Sequence, residues 1–114
     1  MKTTNNILEV MFEGDKTKES KKFEDALLDF FEMLRINAGG ANVQIIKSNY
    51  EDSTQLSGVY KGCRIGKKWT SMDSLLTNIA ENIGFEIAER YQCSDSATLV
   101  NESGFKLRAT LENN

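Results

Sequence analysis

The chain has 114 residues, 39% hydrophobic and 27% charged, with a net charge of −3. That length fits a single domain, 1–114, around one core, and the composition is that of an ordinary folded protein, not of a disordered or membrane-embedded one. Histidine is absent, which removes the commonest general base and the nucleophile–imidazole pairs, and so is proline, which removes prolyl cis bonds and proline-rich ligands.

In chain order, Leu8, Val10 and Phe12 alternate with Glu9 and Glu13, as in a strand with one apolar face. After turn residues at Glu13 to Lys16, Phe23, Ala26, Leu27, Phe30, Phe31 and Leu34 step by three and four and predict an amphipathic helix ending at Gly39-Gly40. Glu24, Asp25, Asp29 and Glu32 are expected on its outer, acidic side. The β-branched run within Ala41 to Tyr50 predicts a second strand, and Glu51 to Thr54 a polar loop. Leu56 to Tyr60 and Cys63 to Trp69 then read as a hairpin turning at Lys61-Gly62.

Thr70 or Ser71 caps a second helix, with Asp73 favourably near its positive end and Met72, Leu75, Leu76, Ile79, Ala80 and Ile83 as the buried stripe. A stop at Gly84 is favoured and makes Phe85 the apolar residue of a C-terminal cap. A continued helix would instead leave Phe85 exposed on a polar side, as a partner contact. Phe85, Ile87 and Tyr91 alternate as in a further strand, followed by strands at Ala97 to Val100 and Phe105 to Leu111. In the last, Phe105, Leu107, Ala109 and Leu111 face inward and Lys106, Arg108 and Thr110 outward. The expected fold is α+β: two amphipathic helices on one face of a mainly antiparallel sheet of about five to seven strands, in the order β-α-β-β-β-α-β-β-β.

The two halves differ in charge: residues 1–57 hold 7 basic and 10 acidic side chains, residues 58–114 hold 7 and 7. Neither is a basic arm suited to long duplexes. No apolar run approaches bilayer length and the first residues lack a signal-like pattern, so the expected location is cytoplasmic. Cys63 and Cys93 form no CxxC pair and are expected as buried free thiols.

The local feature closest to chemistry is Lys61 to Ser71, four basic residues without an acid running into a helix N-terminus. Arg64, Lys67, Lys68, Trp69, Thr70 and Ser71, joined by Arg108, are the candidate ligand-binding residues: positive charge and free N–H groups receive a phosphate, and the indole offers a stacking face. Glu24, Asp25, Asp29, Glu32 and Phe85 are the candidate partner contacts. No catalytic residue, metal ligand or cofactor is expected. The function expected first is that of a non-catalytic binding protein of bacterial or phage accessory type, an inhibitor, immunity, anti-defence or chaperone-like factor that occupies a macromolecular partner. The alternative is a module binding a nucleotide, another phosphorylated ligand or a short single strand at the basic hairpin. A protein partner leads, and a homodimer is a further option.

Overall fold

Alternating apolar residues near both ends of the chain come together in the middle of one sheet. The computed structural model describes residues 6–37, 42–61, 72–93 and 95–113. Its elements are β1 (Asn6–Asp15), α1 (Lys18–Asn37), β2 (Asn42–Asn49), β3 (Ser53–Lys61), α2 (Met72–Ile83), β4 (Glu89–Gln92), β5 (Ser96–Val100) and β6 (Lys106–Asn113). The six strands form one antiparallel sheet in the order β2-β3-β1-β6-β5-β4, and both helices pack on the same face. The protein is therefore α+β, and the strand expected over Cys63 to Trp69 lies outside the described residues.

The inward positions are the ones the alternation marks. Leu8, Val10 and Phe12 of β1, Leu56 and Tyr60 of β3, Ala97 and Leu99 of β5, and Leu107 and Ala109 of β6 are buried beneath the stripes of α1 and α2. Phe23 ties the layers together, its ring centroid 5.4 Å from that of Phe85, 5.9 Å from Phe105 and 6.1 Å from Phe12. Gly58 lets α1 close on the sheet: a Cβ there would meet Phe31 ring carbons at 3.1 Å.

The second helix ends as the favoured reading has it. Gly84 adopts φ +74°, the Phe85 N–H donates to the Ala80 carbonyl at 2.9 Å and the Gly84 N–H to that of Glu81 at 3.4 Å, a Schellman cap. Phe85 is 4% exposed within its own core, so it is withdrawn as a partner contact. The strand expected from Phe85 starts only at Glu89, because the cap holds Phe85 against α1. Tyr91 consequently lies on the face away from the helices, exposed, in register with Thr98.

Three further expectations change. The hairpin partner of β3 is β2, through a turn in which the Tyr50 N–H donates to the Ser53 carbonyl at 2.9 Å; with β1 on its other side, β3 has no edge left for a strand following Gly62. Cys93 is exposed just beyond β4, not buried. Glu24 is 6% exposed, not part of an outer acidic face: one carboxylate oxygen accepts the Thr54 hydroxyl and the other lies 3.6 Å from Lys47 Nζ. It sits on the flank of α1 that β2 and β3 cover, and both its oxygens have partners there, as buried polar groups need.

Candidate functional site

Pleating sends every second residue of each strand to the face the helices leave open. Register then lines up one row across the whole sheet, Ile46, Ser57, Met11, Arg108, Thr98 and Tyr91. A parallel row runs Ser48, Gln55, Glu13, Lys106, Val100 and Glu89. Over β1, β6, β5 and β4 these rows enclose a trough of about 480 Å³ lined by Met11, Glu13, Glu89, Tyr91, Thr98, Val100, Lys106 and Arg108. That volume is in the range of ligand-binding clefts.

The electrostatics of the trough are uneven. Glu89 accepts the Tyr91 hydroxyl at 3.0 Å, and this hydrogen bond, reinforced by the carboxylate's charge, raises the Tyr91 pKa above the ordinary tyrosine value. Met11 is held from the other side, its Sδ accepting the Gln55 amide at 2.9 Å. Lys106 and Arg108, at the centre, make no ion pair with any described residue, although Glu13 faces Lys106 across the β1–β6 ladder. Arg108 thus stands in the row between the Met11 thioether and the Tyr91 phenol, and Lys106 in the row between Glu13 and Glu89.

The chain matches no protein-family model, no curated protein and no solved structure. Of the residues singled out from the sequence, Arg108 is in the trough, while Arg64, Lys67, Lys68, Trp69, Thr70 and Ser71 lie outside the described residues. Arg108 and the described helix α2, Met72–Ile83, are on opposite faces of the sheet. Asp73, in the first turn of α2, is bound to Arg90 of β4 at 3.1 Å. On α1, Asp25, Asp29 and Glu32 are exposed as expected, but Leu28 and Met33 are exposed among them, so the surface is not purely acidic.

A second hollow, about 460 Å³, opens at the start of α1 with Lys16, Lys18, Lys21 and Lys47 on its rim. Its helix terminus is already capped: the Ser20 N–H donates to Thr17 Oγ1 at 3.0 Å and the Thr17 N–H to Ser20 Oγ at 2.9 Å. Glu24 lines the hollow and engages one of the lysines, which makes the trough the better candidate. Among the described residues no group of three acidic or cysteine side chains is placed to hold a metal ion, and no helix is long and apolar enough to cross a membrane.

Proposed function

We propose that this protein is a non-catalytic binding module that receives an acidic segment of another protein in the trough on its uncovered sheet face. The observation that carries the reading is the pair Lys106 and Arg108, side by side on β6, exposed and without ion-pair partners among the described residues. A carboxylate from a partner satisfies them bidentately at Arg108, while Met11, Val100 and Tyr91 offer the apolar contact that excludes water around the pair. The absence of histidine from the chain favours a binding role over acid–base chemistry. An inhibitor, immunity, anti-defence or chaperone-like factor of bacterial or phage type works in this way, by occupation.

The test is a comparison of chemically cross-linked partners captured by the wild-type chain and by an Arg108→Glu, Lys106→Glu variant. Reversing both charges is expected to eliminate the specific partner while leaving the fold intact. An identical set of captured proteins would sink the reading. A phosphorylated small ligand is the second reading, because the same two cations and the Tyr91 ring suit it. Nucleotides at millimolar concentration would then raise the melting temperature of the wild type and not of the charge-reversed variant.

A further inference from the structure

The two edges of the sheet meet solvent differently. β4 is four residues long and carries Glu89 and Arg90, and Arg90 reaches back to Asp73 at 3.1 Å and Thr77 at 2.8 Å. A short, charged edge is a standard defence against further strands. β2 has no such defence. It pairs with β3 in unbroken register over eight residues, Asn42 to Asn49, without a bulge or a proline, and its one charged side chain, Lys47, turns to the helix layer to meet Glu24 at 3.6 Å. Counting along the ladder from the Tyr50–Ser53 bond, the main-chain groups of Val43, Ile45, Lys47 and Asn49 point outward, and no described strand lies beyond them.

Exposed apolar side chains gather at the same border. Ile46 is 44% exposed on the uncovered face, Tyr50 is 56% exposed at the end of the strand, and Leu28 is 38% exposed one turn along α1 from Glu24, on the flank above β2. These residues occupy two layers, sheet and helix. A lone peptide strand would cover Ile46 and leave Leu28 bare.

We propose that β2 pairs antiparallel with β2 of a second copy of this chain, about a two-fold axis normal to the sheet, so that two six-stranded sheets become one. That axis keeps both helix layers on one side and turns the two α1 flanks toward each other, so a single occupant covers both layers. Centring the pair on Ile46 sets this residue against its symmetry mate on the open face. Ile45 then faces Lys47, Val43 faces Asn49, and all four exchange main-chain hydrogen bonds across the axis. Within the strand pair no like charges stand opposite, and each Lys47 keeps its own Glu24.

Sedimentation of the full chain over a concentration series tests this directly, with a reversible dimer expected. Ile46→Lys and Leu28→Glu are each expected to raise its dissociation constant by about 100-fold or more, since either change counts twice in a two-fold interface. The far-ultraviolet circular dichroism of both variants should match wild type, because both sites are exposed. In a Cys63→Ser, Cys93→Ser background, Ile46→Cys should form an intermolecular disulfide under mild oxidation, whereas Gln44→Cys should not. A chain that stays monomeric at about 1 mM overturns the proposal and leaves the edge to a strand from a different protein. A dimer whose affinity Ile46→Lys leaves unchanged overturns it as well.

Discussion

The two faces of this sheet are made by the same strands and do opposite work. Toward the helices the alternate residues are Leu8, Val10, Phe12, Leu99, Leu107 and Ala109, all buried; away from them stand Glu9, Met11, Glu13, Thr98, Lys106 and Arg108, none of them buried. Period-two alternation lets one strand hold the fold with one set of side chains and leave the other set open to solvent, where recognition is proposed. The difference teaches that substitutions on the two faces should separate cleanly into losses of stability and losses of binding.

The sharpest way to break that separation is at the fully buried Leu27 of α1, where Leu27→Ala is expected to cost about 2–5 kcal/mol from lost burial and the cavity left behind. Thr98→Ala, in the trough, should stay within about 0.5 kcal/mol of wild type. Urea unfolding of both variants checks the pair, and equal losses would dissolve the distinction. A smaller effect is expected at Glu24, the acid that crosses to the covered side. Glu24→Ala should cost about 1–3 kcal/mol, the range for breaking a buried hydrogen bond, with Thr54→Val removing the same bond from the other end. A double-mutant cycle reads the coupling, and additive losses would mean that the pair does not interact.

The smallest effect belongs to the open face and concerns pH. The Tyr91 pKa is raised by the Glu89 carboxylate, so the hydroxyl remains protonated through neutral pH and the bond is lost only as pH climbs through that raised value. Glu89→Gln is expected to bring the Tyr91 titration back toward the ordinary tyrosine range. Subtracting the phenolate absorbance of Tyr91→Phe isolates this residue from Tyr50 and Tyr60, and an unmoved titration would show that Glu89 does not govern it.

Much of the architecture is legible in the residues because it rests on local pattern. The stripe from Phe23 to Phe31 makes α1, the alternation from Lys106 to Leu111 makes β6, and Gly84 ends α2 at the position where a left-handed residue is needed. What escaped depends on partners distant in sequence. Glu24 lies on a helix flank, and only Lys47 and Thr54, brought in by two later strands, make it an interior residue. The alternation of Phe85, Ile87 and Tyr91 spans two structures, a helix cap and an edge strand, which a periodicity cannot separate. Arg108 was visible as an outward cation, but its neighbours Met11, Thr98 and Tyr91 come from three other strands and become neighbours only through register.

One consequence of the strand order concerns synthesis. β6, the last of the described strands to leave the ribosome, enters the interior of the sheet, where it pairs with β1 on one side and β5 on the other. Until it arrives, β1 of the β2-β3-β1 group and β5 of the β5-β4 pair each hold an open edge for it. The nascent chain therefore completes its core in one late, non-local step, the kind of step that slows folding. A truncation before Lys106 would remove the seam of the sheet, not trim its border.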